Sequence, residues 1–186
     1  NANVDKRPIT GSVGDATYAA NSTASMADYA KDSTTGTKPD FTFEMNIIDS
    51  VGDSHKVAMA FLKDSSAPNQ WHAEIYAVPD TDIDGTGQPG QIASGLVAFN
   101  ADGSFDQANT TLFGGANNAP KISLGASGGT QPAWAATLGV QSSDINLDLS
   151  KFTQYAATST VNSINPDGAT VRSEERRVGK ECMPVC

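Results

Sequence analysis

The sequence predicts an all-β fold: an antiparallel β-barrel or sandwich of short strands with long polar loops. Three observations carry this prediction. Apolar and polar residues alternate with a period of two in several short segments, and Gly, Asp, Asn and Pro cluster between those segments. No apolar pattern of helical period is sustained over several turns. Hydrophobic residues make up only 38% of the chain, so we expect a small core and much loop.

The first three strands are predicted to form a meander. Residues 41–47 alternate between apolar and polar side chains, as expected of a half-buried strand, and residues 50–53 supply a turn. Apolar side chains recur at every second position over residues 55–61, so the two runs predict a hairpin. A third strand is predicted at residues 71–78, where Pro79 stops it.

Further short strands are predicted beyond a long loop. Residues 79–94 are too polar to bury much surface and are interpreted as a surface loop. Residues 96–99 predict a strand that turns at residues 100–103, where an Asp-Gly step favours a hairpin. Two more strands are predicted at residues 121–124 and 145–149, and the total comes to roughly seven.

The domain prediction divides the chain into three parts. Residues 1–40 are interpreted as an irregular extended segment, with a short helix at residues 23–31 as the alternative. Residues 41–168 form the predicted β domain. Residues 169–186 are predicted to be a non-native tail, because four of the twelve basic residues and both cysteines fall between residues 172 and 186. The chain starts with Asn1 instead of Met, so we expect a fragment or a processed product.

Charge and cysteine content argue against several classes of partner. The formal net charge is -9, which would repel a nucleic-acid backbone or an anionic membrane, so we expect neither partner. No apolar run reaches the ~18 residues of a membrane helix. Cys182 and Cys186 are the only cysteines, so no disulfide framework is predicted for the domain.

One motif has the form of a hydrolase nucleophile elbow. Residues 125–129 fit the pattern G-x-S-x-G around Ser127. That arrangement needs a histidine after the serine, whereas His55 and His72, the two histidines of the chain, both precede it. We therefore interpret the motif as a flexible loop and predict no catalytic residue.

Two groups of residues have the chemistry of metal ligands. Asp80, Asp82 and Asp84 repeat the opening spacing of a calcium loop, but Gln91 stands where the bidentate carboxylate is needed. We interpret them as an acidic surface loop and leave weak cation binding open. His55 and His72 lack clustered Cys or carboxylate residues on their own elements. We therefore predict no metal site and no cofactor.

A series of short motifs runs through most of residues 39–168 in a fixed order. The motifs are D-S-x-G-x-x-H at residues 49–55, N-x-W at 69–71, a glycine-bounded hairpin at 95–103, I-x-L-D-L-S at 145–150, a Phe-Thr-Gln-Tyr segment at 152–155 and S-x-V-x-S-x-x-x-D-G near 158–168. In this order they resemble the central domain of bacterial flagellar hook proteins. The predicted domain at residues 41–168 is therefore interpreted as a hook-protein-like β domain.

The resemblance implies a structural role without catalysis. Hook proteins self-assemble into the flexible tubular joint between the flagellar motor and the filament, so other hook subunits are the implied partners. The family further implies contact with the flagellar export apparatus and the hook cap, and an extracellular location in the flagellar hook. The family's terminal helices are missing from this sequence. The alternative is a secreted β-rich binding or adhesion module that uses the loop at residues 80–90 or Trp134.

Overall fold

The structure is a computed structural model, and it describes residues 15–88 and 90–154. Within these residues the chain forms one short helix, α1 (Met26–Lys31), two 3₁₀ turns (Asp15–Thr17 and Asp80–Asp82) and nine strands. The strands are β1 (Phe41–Ile48), β2 (Ser54–Lys63), β3 (Gln70–Val78), β4 (Ile83–Asp84), β5 (Gln91–Phe99), β6 (Phe105–Asp106), β7 (Lys121–Leu124), β8 (Ala133–Trp134) and β9 (Ser143–Asn146). The predicted tail and the motif near residues 158–168 lie outside the described residues.

Five strands form the main sheet in the order β1-β2-β3-β5-β6, and every neighbouring pair is antiparallel. The first three strands follow one another along the chain, so the predicted meander is confirmed. Val57 of β2 lies opposite Met45 of β1 and Ala77 of β3. Because directly opposite residues share a face of the sheet, these three buried side chains line the same side.

Two small antiparallel sheets, β4 with β8 and β7 with β9, cover that side of the main sheet. Trp134 of β8 is fully buried and is the largest side chain in this core. The core takes its other buried side chains from both layers: Met45, Ile47, Val57, Met59, Phe61, Ala73, Ile75, Ala77, Ile83, Ile92, Val97, Phe99, Leu112, Ile122, Leu124, Val140 and Ile145. The predicted all-β antiparallel fold is confirmed, with its strands in layers.

The opposite side of the main sheet is covered by the segment before β1. Met26 and Ala27 of α1 pack against Ala58, Ala60 and Leu62 of β2 in a second apolar cluster. As a result, β2 is buried continuously from residue 57 to residue 63, although its sequence predicts a strand buried on one face. The short helix is the alternative considered for residues 23–31, and Ser25 begins it by accepting a hydrogen bond from the backbone N of Asp28 at 3.0 Å.

Residues 79–94 differ from the surface loop predicted for them. They contain β4 and the first residues of β5, and Ile83 and Ile92 are buried in the main core. Polar residues surround both isoleucines in the sequence. The two-residue strand β4 is too short to show alternation around Ile83, and Ile92 lies in the part of β5 that precedes the predicted strand at residues 96–99. The last predicted strand is also displaced, since β9 covers Ser143–Asn146 in place of residues 145–149.

No helix in residues 15–88 and 90–154 is long and apolar enough to cross a membrane. The described surface is also poor in large apolar side chains. Val51, in the turn between β1 and β2, is the exposed large hydrophobic residue of the described part, with 61% of its surface accessible. Most large apolar side chains of the described residues are therefore buried in the two apolar clusters.

The two-sided burial of β2 can be measured through Leu62, which is fully buried on the side covered by α1. Leu62→Ala is expected to lower the free energy of unfolding by about 2–5 kcal/mol, because the helix cannot collapse fully into the space left behind. Urea denaturation provides the measurement. Val51→Ala is the matched control, and its effect is expected to stay within about 0.5 kcal/mol. Equal small effects for both variants would show that α1 does not cover this face.

Candidate functional site

The serine of the G-x-S-x-G motif holds a loop in place. The Ser127 hydroxyl accepts a hydrogen bond from the backbone N of Val140 at 2.9 Å, and the Ser127 backbone N donates to the Val140 carbonyl at 3.0 Å. Both histidines of the chain pair with carboxylates on other elements: His55 with Asp82 and His72 with Asp15. In the described residues Ser127 is therefore bonded to Val140, and each histidine is bonded to a carboxylate.

The three aspartates of the acidic loop face different partners. Asp80 forms a salt bridge with Lys31 of α1 at 2.8 Å, and Asp82 binds His55 at 2.9 Å, whereas Asp84 is exposed. Gln91, at the position that a calcium loop would need for a carboxylate, is buried and donates to the Ala20 carbonyl at 2.8 Å. Asp80 and Asp82 therefore anchor neighbouring elements, and Asp84 takes no part in these contacts.

His55 joins two loops through two carboxylates. Its Nε2 lies 3.1 Å from Asp49 and its Nδ1 lies 2.9 Å from Asp82, while its ring packs on Trp134 with 4.8 Å between centroids. The second oxygen of Asp49 accepts hydrogen bonds from the backbone N of residues 51, 52 and 53, each at 2.9 Å. Asp49 thus stabilises the β1–β2 turn through the turn's own amides, and His55 links this turn to the segment before β4.

The charges around His55 alter its titration. Burial lowers the pKa of the imidazole, but hydrogen bonds and charge interactions with Asp82 and Asp49 outweigh burial, and the net pKa lies above the ordinary value of 6.5. The pKa of Asp49 is lowered: burial raises it, but the hydrogen bonds from His55 and the turn amides prevail. The structure therefore favours a positively charged His55 between the side chains of Asp49 and Asp82.

Glu74 of β3 attaches α1 to the sheet. Its carboxylate is fully buried and accepts hydrogen bonds from the backbone N of Met26 at 3.1 Å and of Ala27 at 3.0 Å. These amides belong to the first turn of α1 and would otherwise lack a partner inside the helix. Burial raises the pKa of Glu74 above its ordinary value, whereas the two amides oppose that shift. Sequence alternation places Glu74 on the non-core face, but nothing in the sequence reveals its helix partner.

A third cluster lies at the β2–β3 end of the sheet. Asp15 pairs with His72 at 2.9 Å, and Asp64 lies beside both residues. The ring of Tyr18 packs on His72 with 4.9 Å between centroids. Sequence reasoning missed this cluster because its members are distant in the chain and occupy different elements.

One surface depression of the described residues is an open groove of about 530 Å³. It lies beside β5 and β7, and Lys121 is its ionisable lining residue. Lys121 forms a salt bridge with Asp144 at 3.0 Å, and the described lining of the groove supplies no further ionisable side chain that could act with it as an acid–base pair. Trp134, considered as a ligand contact in the binding-module alternative, is fully buried and cannot face a ligand in this groove or elsewhere on the surface.

Comparison with known proteins identifies the family. Residues 15–169 match the family described as "Flagellar basal body protein FlaE D2 domain". The chain belongs to this family. The matched range begins at the first described residue, so it includes the helix and turn that precede β1 as well as the strands.

Two relatives show how far the FlaE D2 similarity reaches. The chain is 36% identical over 164 residues to the flagellar hook protein FlgE of Caulobacter vibrioides, covering 79% of this chain and 27% of the relative. It also matches the solved structure of a 32 kDa fragment of the hook protein FlgE from Caulobacter crescentus, with a TM-score of 0.69 and 36% identity. That match covers 78% of this chain and 52% of the fragment. The chain therefore spans about a quarter of the curated relative. Both relatives are structural hook proteins, not enzymes.

The pairing of His55 predicts a specific pH dependence. Because its pKa is raised in the folded state, its contribution to stability is fully present below pH 6.5 and is lost as pH rises through the folded pKa. His55→Gln is therefore expected to destabilise the domain more at pH 6 than at pH 9. Denaturant unfolding at both pH values measures this difference. Lys56→Gln, at the next and exposed position, is the control; a pH-independent effect of His55→Gln would contradict the charged pairing.

The attachment of α1 predicts a local effect of Glu74. Glu74→Ala is expected to cost about 2 kcal/mol or more, because it leaves two buried helix amides without an acceptor. Hydrogen exchange should accelerate at residues 26–31 before the β2–β3 ladder loses protection. Glu44→Ala, which removes an exposed glutamate from β1, is the matched control. Unchanged exchange at residues 26–31 would mean that α1 is held by its apolar contacts alone.

Proposed function

We propose that this chain is the outer β domain of a bacterial flagellar hook subunit, which self-assembles with other hook subunits into the flexible tubular joint between motor and filament. The observation that carries the proposal is the family match over residues 15–169 together with 36% identity to a hook protein across most of the chain. The fold similarity to a hook-protein fragment supports the same assignment. The partners are other copies of the full-length subunit.

The described surface suits contacts that must slide as a hook bends. Large apolar side chains are packed into the two cores, and Val51 is the exposed exception among the described residues. The chain carries a net charge of -9, and three of its acidic side chains form ion pairs with exposed lysines of neighbouring elements. Polar contacts are weaker and more readily exchanged than an apolar interface of the same area. This surface composition therefore supports contacts in which neighbouring hook subunits slide past one another without separating.

We further propose an export route and a location for the subunit. We place the subunit outside the cell, in the flagellar hook, after passage through the flagellar export apparatus and assembly beneath a hook cap. Residues 1–181 contain no cysteine, so this part of the chain can cross an export channel unfolded without first reducing a disulfide. We retain residues 41–168 as the hook-protein-like domain and 169–186 as a non-native tail, with residues 15–40 packed onto the domain.

Immunogold electron microscopy tests the function directly. Antibodies raised against the 186-residue chain are applied to flagellated cells that carry its gene. Gold particles are expected on the curved segment between the cell body and the filament, because the domain faces outward there. Serum absorbed beforehand with the chain is the control. Label spread over the cell surface, with none on the hook, would overturn the proposal and favour a surface-binding protein.

A further inference from the structure

We propose that Asp15, Asp64 and His72 form a binding site for a divalent transition-metal ion of the zinc type. One carboxylate oxygen from each aspartate and one ring nitrogen of His72 lie within 4.8 Å of one another. Three such atoms can surround a single ion at ordinary ligand distances of about 2.0–2.2 Å. The proposal does not depend on the role in the hook.

Hydrogen bonds hold each aspartate in place. One oxygen of Asp15 accepts from the backbone N of Ser65 at 2.7 Å and from the Ser65 hydroxyl, while its other oxygen contacts His72 Nε2 at 2.9 Å. Oδ1 of Asp64 accepts from the backbone N of Ser66 at 2.8 Å and from the Ser66 hydroxyl at 2.6 Å. Consecutive serines of one turn thus orient both carboxylates, as outer partners orient ligands in metal sites.

The ring of His72 is also restrained. Tyr18 packs against it, and the side chain of His72 remains 26% exposed, so the cluster lies at the surface of the domain. His55 differs in a decisive way, because both of its ring nitrogens are already bound to carboxylates on opposite sides. Its three groups therefore form a bridge from Asp49 to Asp82, whereas one ligand atom from each of Asp15, Asp64 and His72 lies within 4.8 Å of the other two.

The cluster has an excess of negative charge. Two carboxylates face one imidazole, which leaves a net charge of at least -1 in either protonation state of the ring when both aspartates are ionised. The pKa of Asp64 lies below its ordinary value, chiefly because of the hydrogen bond from the Ser66 hydroxyl, although the charge of Asp15 opposes that shift. The nearby cation, Lys63, points its Nζ at the carbonyls of residues 67, 68 and 70 and lies 5.1 Å from the Trp71 ring centroid. A bound dication would balance the excess negative charge of the two carboxylates.

The donor set selects the class of ion. One imidazole nitrogen with two carboxylate oxygens suits Zn²⁺, Co²⁺ or Ni²⁺, whereas Ca²⁺ and Mg²⁺ prefer oxygen ligands alone. Water would complete the coordination. Any proton on Nε2 of His72 is released to solvent when the metal binds there. The ion would link the residues before α1 to the turn between β2 and β3, and so join the N-terminal segment to the sheet.

Isothermal titration with Zn²⁺, supported by the visible absorption of Co²⁺, tests the site. The full chain carries Cys182→Ser and Cys186→Ser, so that the tail thiols cannot bind the metal. One ion per chain is expected, with thermal unfolding shifted to higher temperature in its presence. In this background His72→Gln and Asp64→Asn are each expected to weaken binding by more than about tenfold, because each removes a direct ligand.

Asp84→Asn is the matched control, since it removes an exposed carboxylate from the acidic loop and should leave the affinity unchanged. Circular dichroism and unfolding of each metal-free variant establish that it is folded before titration. The proposal is overturned if Zn²⁺ does not bind, or if His72→Gln binds as tightly as the parent while folded. It is also overturned if Asp84→Asn weakens binding as much as Asp64→Asn, which would indicate diffuse attraction to acidic groups.

Discussion

The fold depends on covering both faces of the β2–β3 pair. A sheet covered on one face alone would leave Ala58, Ala60 and Leu62 in water. These residues are buried in a cluster that includes Met26 and Ala27 of α1. The other face needs the two small sheets, whose Trp134 fills the centre of the core. In the described residues, the large apolar side chains thus lie mainly between the layers of the domain.

Buried polar groups decide where those layers sit. Glu74 bonds the first turn of α1, and His55 fixes the β1–β2 turn to the segment before β4. Each of these side chains would be costly to bury without its partners. A shift of the helix or of the turn would leave a buried polar group unpaired. Apolar packing supplies the drive to cover the sheet, and these directional contacts select one arrangement among several that would bury similar area.

The sequence predicts the long strands well and the short ones poorly. Residues 41–47 and 71–78 show alternation over enough positions to reveal their period, and both lie in strands of the main sheet. The two-residue strands β4 and β8 are too short to show a period. In β2 the face opposite the main core is also buried, so burial does not alternate along the strand. The clusters around Glu74 and His72 were equally hidden, because their partners come from segments that the sequence marks as irregular.

The motifs that carry the family resemblance have local physical causes. In D-S-x-G-x-x-H, Asp49 binds both the turn amides and His55, and Gly52 has a φ of 97°, which a residue with a side chain rarely adopts. At Gly95 a side-chain carbon would lie 2.7 Å from backbone atoms of Leu112, so the chain can cross there only at a glycine. Trp71 of the N-x-W motif donates to Gln154 at 2.7 Å, which joins β3 to the last described residue. The recognisable positions are therefore turns, close crossings of the backbone and long-range hydrogen bonds, and each of them fixes how distant segments of the domain meet.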